Sequence, residues 1–373
     1  MLNYRTCAEY SAFTDSLVNV ICYTFSLFLP TFTHLFTAFS TKSAFVGLGE
    51  ADLISSEAEA EDFIRACEDF IVQSTISLKT QGLCLDLLAE VWYNGAKKGG
   101  EAMFGAIYGD IIGSYYEVHC TKDYNFEFNK DSFFTDDSVL IAAVCKAILN
   151  NPTEISKWAL RARAKEYASQ YRQYYSYHPH AGFGNMFAAW AKDPYARNEH
   201  SYANGASMRV IPIGYAYDSL EQTLLQAKAS CLSTHNHREA IVGARSVAAS
   251  IFLARSGADK EQIKAYLEKT FKYKLSTPLS SIKETHVFDS RTSYSVPPAI
   301  IAFLESTDYE SAIRNAISLG GDADTQACIA GGIAEAYYKE IPEHIKRFCD
   351  SRIDFSIKSV VKEFAKQYCT EKS

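Results

Sequence analysis

Gly320-Gly321-Asp322-Ala323-Asp324-Thr325 stands directly ahead of the small-residue segment 326–338, and its reading decides both the fold and the place of the chemistry. Ala327, Ala330, Gly331, Gly332, Ala334 and Ala336 keep that segment thin on most sides, so a helix built from it lets its neighbours approach closely. Glycine lowers helix propensity, and only tight packing offsets the loss. The pattern therefore predicts a central, buried helix, with its acidic N-terminal turn near the middle of the domain. Paired glycines permit the sharp turn, and Asp324 or Thr325 can cap the first free N–H groups. Two carboxylates and a hydroxyl fixed on an apolar background are the hard oxygen ligands that magnesium or manganese takes. The competing reading is that both aspartates only cap the helix and complement its dipole.

A second acidic knot bears on that choice. Thr135-Asp136-Asp137-Ser138 precedes the apolar run 139–149, again at a helix start. Adjacent carboxylates raise each other's pKa, so burying such a pair implies protonation, an Arg or Lys between them, or a cation. A cation is the expected partner. Glu117 follows the glycine-punctuated helix 104–114 and reads either as a third acid of the site or as a solvated helix end. That helix is no phosphate loop, because it lacks G-K-[ST] and its glycines suit close helix packing.

Outward from these knots, helical periodicity runs over 139–149, 155–174, 220–229, 239–254, 260–271, 299–305, 311–319 and 345–367, and strand-like alternation is scarce. Pro297-Pro298 suits a helix opening, and Pro342 separates 326–338 from the last helix. Many helices joined by short turns predict an all-α globule. The 373 residues, 47% hydrophobic, are ample for a packed core. A net charge of −7 without a basic stripe argues against nucleic acid as a partner. The ten cysteines form no C-x-x-C pair, which speaks against a zinc ribbon or a thioredoxin-type motif and for reduced, buried thiols, Cys328 among them.

Residues 1–102 differ from the rest. Segment 17–41 carries no Asp, Glu, Lys or Arg and is long enough to cross a bilayer. Pro30 interrupts it, Asn19 and His34 dilute it, and Glu9 and Asp15 precede it where a signal peptide would be basic. A cytoplasmic location is expected, with membrane association through 17–41 as the alternative. Residues 57–93 read as two amphipathic helices. Lys97-Lys98-Gly99-Gly100 is the best linker candidate, which would set 1–102 apart as an N-terminal extension from a domain over 103–373.

Three further stretches offer polar groups. Asn204-Gly205-Ala206-Ser207-Met208-Arg209 is either a phosphate-binding helix start or an ordinary Asn-Gly turn, and Arg209 can instead pair with a core carboxylate. His235-Asn236-His237 lacks the partners zinc needs; substrate contact by one histidine and capping by the other is as good a reading. Gly182-Phe183-Gly184, in the loop 178–184, suits either a planar ring or diphosphate beneath it, or a plain surface loop.

Taken together, five stretches resemble the ADP-ribosylglycohydrolase family, which includes the dinitrogenase reductase-activating glycohydrolases. They are 105–110 through Glu117, 134–138, 204–209, 234–237 and 320–325, in the family's order. The resemblance implies an orthogonal multi-helix fold around two Mg2+ or Mn2+ ions. Thr135, Asp136, Asp137, Asp322, Asp324 and Thr325 would be the ligand set, with Glu117 close by. Gly182, Phe183, Gly184, Asn204, Gly205, Ser207, Met208, Arg209 and His235 would serve the ADP-ribose cleft. Ala323 and Ser138 stand where Thr is usual in the family, Ala203 where Gly often is, Phe183 where Tyr is frequent and Arg238 where Pro is common. These departures bear on substrate choice and remove no metal ligand. Members often begin at a methionine placed like Met103, so residues 1–102 are expected to be a fused extension or to precede the true start.

The reaction this implies is hydrolysis at the anomeric carbon of a ribose, on an ADP-ribosylated protein or a small ADP-ribose compound, through a transition state of oxocarbenium character. Asp136 or Asp137 would take a proton from water while Glu117 adjusts the metal or gates the substrate. The rival readings are a carboxylate-only glycosidase, a non-catalytic ADP-ribose-binding protein and a two-metal phosphoesterase.

Overall fold

The computed structural model describes residues 103–196 and 200–369; the expected extension 1–102, its apolar segment 17–41 and the linker 97–100 lie outside them. The described residues form fourteen α-helices joined by short turns, with isolated bridges in place of strands, so the fold is all-α as the periodicity predicts. Two helices organise the rest: α1 (Gly105–Val118) and α12 (Ala323–Tyr338). Every fourth residue at Gly105, Gly109 and Gly113 lacks a side chain, and these positions face Gly331, Ala327 and Ala323 of α12 in antiparallel order. A Cβ on Gly109 would stand 2.2 Å from the Ala327 carbonyl oxygen, and one on Gly113 would stand 2.5 Å from the Asp324 Cα. Only glycine permits this approach.

The register of that contact positions the site. Running antiparallel, the C-terminal turn of α1 with Glu117 meets the N-terminal turn of α12 with Asp322 and Asp324. At the opposite end Glu335 of α12 accepts hydrogen bonds from the Phe104 and Gly105 N–H groups at 3.2 and 2.9 Å. One carboxylate there satisfies two free donors at the start of α1.

Helices α7 (Arg238–Arg255), α10 (Thr292–Leu304) and α11 (Tyr309–Ile317) cover other sides of α12. Helix α2 (Asp136–Asn150) packs on α1, on α3 (Leu160–Tyr177) and on α14 (Phe355–Tyr368); α6 (Leu220–Cys231) joins α3 to α7. Shorter or more peripheral are α4 (Asn185–Lys192), α5 (Ile211–Ala216), α8 (Lys260–Phe271), α9 (Leu279–Thr285) and α13 (Glu343–Asp350). The described cysteines are free, and Cys145, Cys231, Cys328 and Cys349 are buried. Among the described residues no helix is long and apolar enough to cross a membrane.

Three boundaries differ from the periodicity. The expected helix 345–367 is two, because Asp354 caps α14 by accepting from Ser356 N at 2.8 Å and so starts a new helix after the turn 351–354. Pro297-Pro298 lie inside α10, which opens five residues earlier at Thr292. The carbonyls that lose their helical partners there belong to Ser293 and Tyr294, both exposed residues. Helix α3 starts at Leu160 and not at 155, because the Ile155 backbone pairs in both directions with the Gln222 side chain, at 2.9 Å each way.

Candidate metal centre and its cleft

The start of α2 is held by a residue of α1. Asp110, fully buried, accepts from Thr135 N at 3.0 Å, Thr135 Oγ1 at 2.7 Å, Ser138 N at 3.1 Å and the Ser138 hydroxyl. Thr135 itself caps α2, its Oγ1 accepting from Asp137 N at 3.3 Å. Asp136 and Asp137 are thereby relieved of capping duty.

The start of α12 shows the same separation. Gly320 and Gly321 adopt φ of 73° and 78°, a left-handed turn for which glycine is the ready choice. Gln326 Nε2 fastens the turn by donating to Gly320 O at 2.8 Å and Asp322 O at 2.9 Å. Asp322 occupies the N-cap position, yet its side chain makes no capping bond. Its Oδ2 accepts instead from Asn204 Nδ2 at 2.7 Å. Asp324 Oδ1 accepts from the neighbouring Thr325 N at 2.8 Å, and Thr325 Oγ1 lies 3.4 Å from Asp137 Oδ1. That last contact joins two knots 188 residues apart in the chain. One oxygen each from Glu117, Asp322 and Asp324 lie within 4.8 Å of one another.

So many acids in one place perturb each other. Burial first, then neighbouring carboxylates, push Asp136 up to about 8 and Glu117 up to about 7; Asp137 and Asp324 rise well above the ordinary range for the same reasons. Asp110, despite its four donors, is raised by burial to about 6. No ion pair of the described residues involves any of these acids. Asp137 Oδ2 is buried without a hydrogen-bond partner. A buried carboxylate oxygen with no donor, in an all-oxygen set with no basic side chain paired to it, fits a hard divalent cation. Asp137, Asp322, Asp324, Thr135 and Thr325 are buried, whereas Glu117 and Asp136 are partly exposed and form the open face.

The remaining candidates fall into layers. A Cβ on Gly182 would lie 3.6 Å from Asp136 Oδ1, so the 178–184 loop borders the open face; Gly182 takes φ of 94°. Phe183 stacks on Phe187 at 5.2 Å and meets Tyr175 edge-on at 5.0 Å, while Gly184 has open space around it. Asn204 touches the acids directly. Gly205 packs on His235, whose Nδ1 is 2.9 Å from Thr234 Oγ1; burial and the Arg209 charge depress its pKa, so the ring is neutral. Ser207, Met208 and Arg209 have buried side chains beneath the turn, with Met208 Sδ 4.0 Å from Thr325 Oγ1. Arg209 donates to Ser230 O at 2.8 Å and Thr234 Oγ1 at 2.9 Å and lies over the Tyr171 ring, not against a core carboxylate. His237 caps α7 through Glu239 N. The residues to which sequence reasoning gave no role are supports: Asp110, Ser138, Ser295 and Gln326. For Asp110 a signal existed, a lone acid between Ile107 and Ile111 on an otherwise apolar helix.

Comparison with known proteins gives concordant results. A model of the ADP-ribosylglycohydrolase family matches residues 96–372. Human ADP-ribosylhydrolase ARH3 is 26% identical over 324 residues, covering 66% of this chain and 87% of that protein. ADP-ribosylhydrolase ARH3 of Xenopus tropicalis is 25% identical over 310 residues, covering 64% and 86%. A solved structure titled an ADP-ribosylglycohydrolase-related protein complex aligns with a TM-score of 0.52 at 23% identity, covering 70% of this chain and 96% of that one, a likeness of fold.

Proposed function

The chain belongs to the ADP-ribosylglycohydrolase family and is a hydrolase of glycosyl bonds; from that premise we propose that it releases ADP-ribose from an acceptor at the carboxylate cleft, with divalent cations held there. The observation that carries this reading is the convergence of acids from three distant segments, ending at a buried Asp137 oxygen that no hydrogen-bond donor satisfies. Thr135, Asp136, Asp137, Asp322, Asp324 and Thr325 would hold two ions, magnesium or manganese, with Glu117 at the lip. Such ions, when bound, neutralise the acids, orient ribose hydroxyls and make a water more acidic.

The chain's own residues supply the rest. Asp136 is the better placed of the two adjacent acids to take a proton from the attacking water, because it is partly exposed whereas Asp137 is buried and meets the Thr325 hydroxyl. Glu117, its pKa raised first by burial and then by its acidic neighbours, sits at the open face where an acceptor enters or leaves. The Gly182-Phe183-Gly184 loop borders the face above Asp136 and offers an aromatic edge and open backbone to the ADP portion. Ser207, Met208 and Arg209 act from beneath, holding the turn that brings Asn204 to Asp322. The substrate is an ADP-ribosylated protein side chain or a small ADP-ribosyl compound.

The test is incubation with peptides ADP-ribosylated on arginine and on serine, and with small ADP-ribosyl compounds, in the presence of Mg2+ or Mn2+, with products read by mass spectrometry. Free ADP-ribose and unmodified acceptor are expected from at least one of them. Release of AMP or phosphate would make the protein a phosphoesterase, and tight binding without any product would make it a binding protein.

A further inference from the structure

Asn204 lies beside the acids, but its amide is already spent. Of its two amide hydrogens, one goes to Asp322 Oδ2 at 2.7 Å and the other to Ser295 Oγ at 2.8 Å. The direction of this chain follows from its ends. The Asp322 carboxylate, when ionised, only accepts, so the NH2 side of Asn204 must face it. Ser295 Oγ has its own hydrogen directed to a backbone carbonyl, Asp289 O at 3.1 Å or Arg291 O at 3.3 Å, which leaves its lone pairs for Asn204. All three side chains are buried. The same short strap that receives Ser295 also accepts the Asn204 backbone N–H, at Ser290 O and 2.8 Å, so Asn204 is gripped at backbone and side chain alike.

We propose that Ser295, with no place in any of the recognisable motifs, is a positioning residue that acts through Asn204 to hold the Asp322 carboxylate in its ligating orientation. The amide is a switchable group: turned by half a rotation it would set its oxygen against the carboxylate, and repulsion would drive Asp322 out of line with Asp324 and Glu117. Ser295 accepts from only one end of that amide and so fixes the productive rotamer. Supporting groups of this kind orient metal ligands, and their loss commonly weakens metal binding roughly 10-fold or more.

This inference rests on the cation reading above, and the experiment separates the two. Mn2+ binding is measured by calorimetry and by electron paramagnetic resonance for the wild-type protein, Ser295→Ala, Ser295→Thr and Asn204→Ala, beside the melting temperature of each without metal. The expectation is that Ser295→Ala stays folded without cation but loses roughly 10-fold in Mn2+ affinity, that Asn204→Ala loses at least as much, and that Ser295→Thr, which keeps the hydroxyl, restores binding. Ser295→Ala binding Mn2+ as the wild type does, or Ser295→Thr binding no better than Ser295→Ala, overturns the positioning role. No Mn2+ binding by the wild-type protein overturns the cation reading itself.

Discussion

An aspartate at a helix start can cap the helix or ligate a cation, and at Asp322 the two uses exclude each other. The side chain makes no capping bond and is turned toward Asn204, Asp324 and Glu117. Thr135 frees Asp136 and Asp137 in the same way. On the proposed reading, replacing Asp324 with Ala removes a ligand and not a cap. We expect Asp324→Ala to lose one cation and to lower turnover by roughly 10²-fold or more. Its fold should remain intact, and without metal it should melt at or above the wild-type temperature at pH 8. The sign follows from the raised pKa: ionising Asp324 among its neighbours opposes folding, and the penalty grows with pH. Thermal scans at pH 8 with and without Mn2+ check it; a metal-free variant that melts lower would count against the repulsive cluster. Glu335 offers a cleaner titration, far from the acids. Burial raises it from 4.5 to about 7, so its contribution to stability is complete below its unfolded value and is lost as pH rises through about 7. Glu335→Gln should therefore gain on the wild type by on the order of 3 kcal/mol between pH 4 and pH 8. Urea unfolding across that range measures the difference, and a constant gap would refute the assignment.

Helices α1 and α12 turn those residues into a site because glycine and alanine recur every fourth residue on both contact faces. That pairing sets the antiparallel register, and the register sets Glu117 beside Asp322 and Asp324. Gly113→Ala should cost about 1–3 kcal/mol and weaken cation binding together, since its Cβ would press on the Asp324 Cα and the Ala323 carbonyl. Gly184→Ala is the control, with φ of −57° and nothing within reach of its Cβ; a change within about 0.5 kcal/mol is expected. Equal effects at both positions would show that the contact does not set the site. The thinness of segment 326–338 was legible because small residues cannot fill space and so must be filled against. The partner helix was legible as glycine-punctuated, but not its register, since periodicity reports a face and never its facing residue. The break at 351–354 escaped for a related reason: apolar spacing continues across it, and only the Asp354 cap marks a new start.

At the level of the whole molecule the acids were legible as two knots on an apolar ground, and the cation as the cheapest way to bury them. Their supports were not. Asp110 and Ser295 act across 25 and 91 residues of sequence, and buried polar groups of this sort carry no local pattern. A capping histidine was legible and falls on His237, whereas Arg209 was legible only as a polar point and is a buried brace. A molecule that folds around unpaired acids should be stabilised by a bound divalent ion, by about 2.7 kcal/mol for a site at a hundredfold excess over its dissociation constant. The most direct test of the whole account is hydrolysis of an ADP-ribosylated peptide assayed with a chelator and after replenishment. Turnover is expected to stop in EDTA, to return with Mg2+ or Mn2+, and not to return in Asp324→Ala. Full turnover in EDTA would contradict it and assign the bond cleavage to carboxylates alone.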